Sequence, residues 1–233
     1  MKTVCFTGHR PEVLGGYDKD APLNLKVREN LRKAVKAFKE LGYRTFISGG
    51  ALGVDQWGAD AVLEDPELEL VIALPYKDYG SNWPPESQAY LAGQCKKASK
   101  VHVVCEGEYA GWKNNERNKW MVDNSDAVIA VWNGAEKGGT AHCVKYAKEK
   151  GKPMFRYDPA TDVVIEAEPT PLPRQVRTLR QRSHYGEADV FAVAPAPLPL
   201  PTIRWLPCLH VPTPPLSPAS LSVDQLQSVI SGI

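Results

Sequence analysis

Short apolar runs alternate along this chain with longer stretches in which apolar residues recur every three or four positions. The runs cover residues 3–7, 43–48, 68–74, 101–105, 127–132 and 153–157. Runs 68–74 and 127–132 are nearly continuous in apolar residues, the pattern of strands covered on both faces. Between the first two runs, Val27, Leu31, Val35, Phe38 and Leu41 keep helical spacing, with Asn24 as the expected cap and Gly42 as the stop. Further helices are predicted from Val54 to Leu63, from Glu86 to about Lys97, from Asn114 or Asn115 to about Asn124, and from Thr140 to Lys150. Strands that alternate with helices six times predict an α/β fold, with a mainly parallel sheet sandwiched between helices.

The pattern stops near residue 158. Most prolines lie beyond it, in runs such as 169–173 and 194–201. Proline neither donates to a sheet ladder nor continues a helix, so residues 158–233 are expected to form a Pro-rich, largely irregular and poorly ordered extension. Residues 174–182 and 221–230 are candidates for short helices within it, and the extension is a candidate for binding a protein partner. The expected division is therefore a folded domain over 1–157 and this extension.

Composition narrows the class. The chain has 233 residues, 43% of them apolar, and a formal net charge of +1. Near-neutral charge gives no general attraction to polyanions or membranes, so nucleic acid is not expected as a partner. No apolar run reaches the length of a membrane span, and the N-terminus leads directly into a strand-like run, with no signal peptide expected. The five cysteines are scattered and none forms a C-x-x-C pair, so neither zinc nor a disulfide framework is expected. Buried thiols in a cytoplasmic protein are the expectation.

In parallel sheets, ligands bind beyond the carboxyl ends of the strands. The candidate polar residues fall there. Gly8, His9 and Arg10 follow the first run, and Arg10 offers a planar fork suited to phosphate. Ser48, Gly49, Gly50, Gly53 and Asp55 form a turn into a helix, where unpaired backbone amides and the dipole favour an anion. Asp55 competes for those amides, so its expected role is contact with ribose or base. Trp83 lies in the loop after the third run and is a candidate to stack on a base. Asn114, Arg117 and Asn118 fall within about one helical turn, with Arg117 able to lean into the site. Gly138, Gly139 and Thr140 are the better phosphate turn: Thr140 adds a hydroxyl, and no acidic residue occupies the next turn. Glycines also serve turns for purely conformational reasons, and Asp55 and Thr140 are also plausible caps.

These motifs together resemble a known family. Thr7-Gly-His-Arg-Pro11, Ser48-Gly-Gly-Ala-Leu-Gly-Val-Asp55, Asn82-Trp83, Asn115-Glu-Arg-Asn118 with Met121, and Gly138-Gly-Thr140 are similar to the YpsA/YoqJ-type branch of the SLOG superfamily. That superfamily includes the DprA/Smf proteins and the LOG phosphoribohydrolases. The resemblance covers about residues 1–157. It implies a Rossmann-like three-layer fold that binds nucleotides or nucleotide-derived ligands, often in bacterial or phage stress and defence, and often as a homo-oligomer. The LOG enzymes carry glutamates just after the Gly-Thr pair; here His142 and Cys143 stand there. Without that carboxylate, activation of water or support of an oxocarbenium-like state has no evident source.

The expected function is therefore binding, to sense or sequester a nucleotide or an ADP-ribose/NAD-like molecule. No catalytic residue, metal or certain cofactor is assigned. The alternative is a nucleoside-monophosphate N-glycosidase with Asp55 as a relocated acid. Single-stranded DNA binding, by analogy with DprA, fits the near-neutral charge less well.

Overall fold

The computed structural model describes residues 1–18 and 20–167. The proline-rich runs and both candidate helices of the extension lie outside the described residues. The chain starts with β1 (Lys2–Gly8), a 3-10 turn at Pro11–Val13, α1 (Pro22–Glu40) and β2 (Tyr43–Ser48). It continues through α2 (Val54–Leu63), β3 (Glu69–Leu74), α3 (Pro85–Lys97) and β4 (Lys100–Val103). The second half comprises α4 (Gly111–Asp123), β5 (Ala127–Val131), α5 (Gly139–Glu149), β6 (Met154–Asp158) and β7 (Val163–Ala167). The strands form one sheet in the order β4-β3-β2-β1-β5-β6-β7. All pairs are parallel except β6–β7. This is a Rossmann-like three-layer α/β fold.

One apolar layer joins Val4 and Phe6 of β1, Phe46 of β2 and Leu70, Ile72 and Leu74 of β3 to residues of α1, α2 and α3. The other joins Cys5, Ile47, Ala73, Val128 and Ala130 to Met121 and Val122 of α4 and to Cys143, Val144 and Ala147 of α5. Successive strand side chains point to opposite faces, which is why Val4 and Cys5 serve different layers. The chain runs outward from β1 to β4 and then returns to the far side of β1 at β5. The carboxyl ends of β1 and β5 therefore border the topological switch point, the place where open α/β sheets bind ligands.

Helix α2 is buried on nearly every side, because it lies against the sheet between α1 and α3. Its close seat needs two glycines. A Cβ on Gly8 would lie 2.5 Å from Val54, and one on Gly58 would lie 2.8 Å from the Phe6 ring.

Several sequence expectations are corrected. Asn24 does not cap α1, which begins two residues earlier at Pro22, where a missing N–H costs nothing. The Asn24 amide is buried and donates to Gly16 O at 2.9 Å and Asp18 O at 2.5 Å, fastening the preceding loop. Neither Asn114 nor Asn115 caps α4, which starts at Gly111. Thr140 does not cap α5, whose cap position is Gly138. Regular structure extends beyond residue 158: β7 folds back on β6 as an antiparallel edge. Its Val163-Val-Ile165 segment lies before the proline-rich runs, and the compositional shift masked it. Among the described cysteines, Cys5 and Cys143 are buried, Cys95 and Cys105 half-buried, and none is disulfide-bonded. Among the described residues, no helix is long and apolar enough to cross a membrane.

Candidate functional site

Loops following β1, β2, β3 and β5 gather along the carboxyl edge of the sheet. The end of β1 is fastened on both sides. The His9 amide donates to Val131 O at 3.2 Å, and Val54 N–H donates to His9 O at 3.4 Å. The His9 ring carries the connection further: the Asn133 amide donates to its Nε2 at 3.1 Å. Burial pushes the His9 pKa down, which favours the neutral ring that accepts this bond. Asn133 Oδ1 also lies 2.8 Å from Nε2 and would accept from a protonated ring. It already accepts from Ala135 N–H at 3.2 Å, shaping the loop after β5.

The first glycine turn, residues 49–53, is filled by the protein itself. Ser48 Oγ donates to Asp55 O at 2.7 Å and accepts from Gly50 N–H at 3.1 Å. The Asp55 carboxylate accepts from Ala51 N–H at 3.4 Å and pairs with Arg117 Nη1 at 3.3 Å. Arg117 also donates to Gly49 O. Both charged side chains are buried, at 5% and 9% exposure for Arg117 and Asp55. Burial pushes the Asp55 carboxyl pKa up, against the pull of Arg117 and Arg10. Gly49 is required here because a Cβ would fall on the Arg117 guanidinium; Gly53, at φ +91°, passes 2.7 Å from His9 O by the same measure.

The second glycine turn is open. Gly138, at φ +106°, has nothing within 4 Å of where its Cβ would stand, and Gly139 has only Asn118 Nδ2, at 3.9 Å. Helix α5 starts here with no side-chain cap and no acidic residue in its first turn. Thr140 Oγ1 donates to Gly8 O at 2.8 Å, which ties the helix start to the end of β1. Asn118 Nδ2 reaches Gly139 O at 3.4 Å. The exposed N-terminus of this eleven-residue helix, with its dipole, thus stands beside the end of β1.

The structure brings Gly8, His9, Asn118, Gly138, Gly139 and Thr140 together around this opening. Ser48, Gly49, Gly50, Gly53, Asp55 and Arg117 form a separate buried cluster next to it. In this structure Asp55 is paired with Arg117, and Arg117 is turned toward Gly49 rather than toward Gly139. Asn114 lies one turn earlier on α4, half-buried, with no hydrogen-bond partner at its buried Oδ1. Arg10 is exposed and reaches across to Tyr79 OH at 3.3 Å. Trp83 packs edge-on to Tyr79, at 5.1 Å between ring centres, and against Gly80. Sequence reasoning missed Asn133, Tyr76, Tyr79 and Tyr109. The Asn133-Gly134 pair signals only a turn, and nothing in local sequence sets these tyrosines apart as rim residues. Cys143, where LOG enzymes have a glutamate, is buried, and burial pushes its thiol up to about 11.

With this geometry, the comparisons with known proteins settle the family. The model of the YspA SLOG family (YpsA) matches residues 4–160. This chain belongs to that family. A UPF0398 protein of Bacillus thuringiensis (strain Al Hakam) is 29% identical over 157 residues, covering 65% of this chain and 85% of the relative. A UPF0398 protein of Bacillus cereus (strain AH187) is similar to the same degree, 29% over 157 residues, with the same coverage. Among solved structures, the chain is similar to DNA processing protein A (DprA) from Streptococcus pneumoniae, with a TM-score of 0.49 and 17% identity. That alignment covers 66% of this chain and 50% of DprA. DprA from Helicobacter pylori, whose structure concerns a single-stranded DNA binding mode, gives a TM-score of 0.48 and 19% identity, over 66% of this chain and 64% of that protein. The chain thus spans half to two-thirds of these structural neighbours. Membership of the SLOG family specifies no ligand and no activity.

Proposed function

We propose that this protein binds a phosphate-bearing, nucleotide-derived ligand at the carboxyl rim of the sheet, to sense or sequester it. Phosphate sits on the α5 N-terminus at Gly138, Gly139 and Thr140, with Asn118 beside it and the Gly8–Arg10 segment as the opposite wall. The observation that supports this reading is the contrast in occupancy: the turn after β2 is filled by Asp55 and Arg117, whereas the turn after β5 is open. An ADP-ribose- or NAD-like molecule matches a rim with anion-suited groups at both Arg10 and α5.

The raised Asp55 carboxyl favours a second reading, an N-glycosidase, because burial shifts it in the direction a general acid needs. Its pairing with Arg117 beneath Gly49 opposes that reading. The test is calorimetric titration of the full chain with ADP-ribose, NAD, nucleoside monophosphates and single-stranded DNA, with chromatography for released base. Binding without turnover supports the proposal. Released base supports the glycosidase. A salt-dependent affinity for DNA alone would redirect the reading to nucleic acid, which a whole-chain charge of +1 does not exclude. Assignment to the cytoplasm, which rests on the scattered cysteines and the strand-like N-terminus, belongs to this proposal, as do a place in stress or defence and pairing with a second copy, which rest on the family resemblance.

A further inference from the structure

A cleft of about 350 Å³ opens between the loops after β3 and β4, lined by Tyr76, Asp78, Ser81, Asn82, Glu108 and Tyr109. Its aromatic wall is edge-to-face: the Tyr76 and Tyr109 rings are 5.7 Å apart at 74°. Tyr76 is buried and fixed, whereas Tyr109 is 69% exposed. The wall carrying Glu108 is braced by Lys113, whose buried Nζ donates to Glu106 O at 2.6 Å and to Glu108 O. Asp78 and Glu108 line the cleft, and the Lys113 ammonium stands behind its wall, 6.0 Å from the Tyr76 ring centre and bonded to backbone carbonyls. With that ammonium already engaged, the two carboxylates make the cleft a poorer place for phosphate than the open turn. A flat ring bearing amino hydrogens suits it, since carboxylates only accept and tyrosine faces stack on bases.

A line of contacts runs from this cleft to the open turn. Tyr76 packs on Tyr79 at 5.5 Å, Tyr79 OH accepts from Arg10, and Arg10 follows Gly8, which Thr140 anchors. The open turn borders β1, and the cleft lies beyond β3 and β4. The β5/β1 junction and the β3/β4 junction are three strand spacings apart, about 14 Å along the rim at about 4.8 Å per strand. Arg10 stands between them. From this juxtaposition we infer that the Tyr76–Tyr109 cleft is the base subsite for a nucleoside diphosphate moiety, selecting an amine-bearing base through Asp78 and Glu108, while its two phosphates lie at Arg10 and α5. This rests on the phosphate reading proposed above.

The experiment titrates the full chain with ADP, IDP, AMP and inorganic pyrophosphate by calorimetry. IDP differs from ADP in lacking the exocyclic amine. ADP is expected to bind about tenfold tighter than pyrophosphate, in line with the value of base–aromatic stacking, and severalfold tighter than IDP or AMP. Tyr109→Ala, at an exposed position, removes the advantage of ADP over pyrophosphate and leaves pyrophosphate affinity unchanged. Asp78→Asn with Glu108→Gln erases the preference for ADP over IDP. Pyrophosphate binding as tightly as ADP, or ADP affinity indifferent to these variants, overturns the base subsite and leaves the phosphate reading standing. AMP equal to ADP overturns the two-phosphate assignment. ADP binding that survives Gly139→Asp but fails in Tyr109→Ala overturns the phosphate reading instead. If neither ADP nor pyrophosphate binds, both readings fall.

Discussion

Two glycine turns, each leading from a parallel strand into a helix, have opposite fates in this protein. After β2, Gly49–Gly53 closes over a buried carboxylate and guanidinium, and the start of α2 is pressed against β1. After β5, Gly138 and Gly139 face open space at the start of α5. In the first, glycine makes room for the protein's own charges. In the second, it leaves room for something else. The difference shows that a Gly-rich turn at a helix N-terminus is free to take a ligand only when no side chain has claimed it.

The most damaging way to break the first turn is to strand its carboxylate. Arg117→Ala leaves Asp55 buried and unpaired, and about 3–5 kcal/mol of stability should be lost in denaturant unfolding. A loss within that of a surface ion pair would show that the turn is not held by this pair. Next in size is a pair of matched glycine substitutions. Gly49→Ala forces a methyl onto Arg117 and should cost about 1–3 kcal/mol, as overpacking does. Gly139→Ala has space and helical backbone, so it should be neutral or stabilising by about 0.5–1 kcal/mol. Equal costs at the two positions would erase the contrast.

Gly139→Asp sharpens the functional half of the comparison. A carboxylate in the first turn of α5 should stabilise the fold by about 0.3–1 kcal/mol through the dipole. The same charge should weaken ADP-ribose affinity by at least about tenfold, since it occupies the anion position. Unchanged affinity would remove α5 as the phosphate site. The smallest expected effect concerns the junction between the turns. The folded-state pKa of His9 is lowered by burial, so its contribution to stability is present above the unfolded value near 6.5 and is lost as pH falls from there toward the folded pKa. His9→Gln should flatten that part of the melting-temperature profile. An identical acid limb in both proteins would show that His9 is not the group that titrates.

Much of the fold was legible along the chain. Continuous apolar runs at β3 and β5 announced strands covered on both faces, and the spacing from Val27 to Phe38 announced α1. Helix starts were read less well. Asn24, Asn114 and Thr140 have the chemistry of caps, yet Asn24 and Thr140 bond to distant backbone, at Gly16 and Asp18 or at Gly8. Residue type signals a capacity to cap, and the neighbours supplied by folding decide where that capacity is used. The seventh strand escaped notice because its short apolar segment adjoins a proline-rich sequence.

By itself, the sequence determined the alternation of strands and helices, the glycine turns at their junctions and the SLOG motifs in order, because these depend on local periodicity and residue type. The tertiary structure alone decided that Arg117 reaches Asp55 across 62 positions of chain, and that Tyr76, Tyr109, Asp78 and Glu108 enclose a cleft. Burial and opposite charge at contact distance are properties of the folded chain. They close one turn and leave the other open.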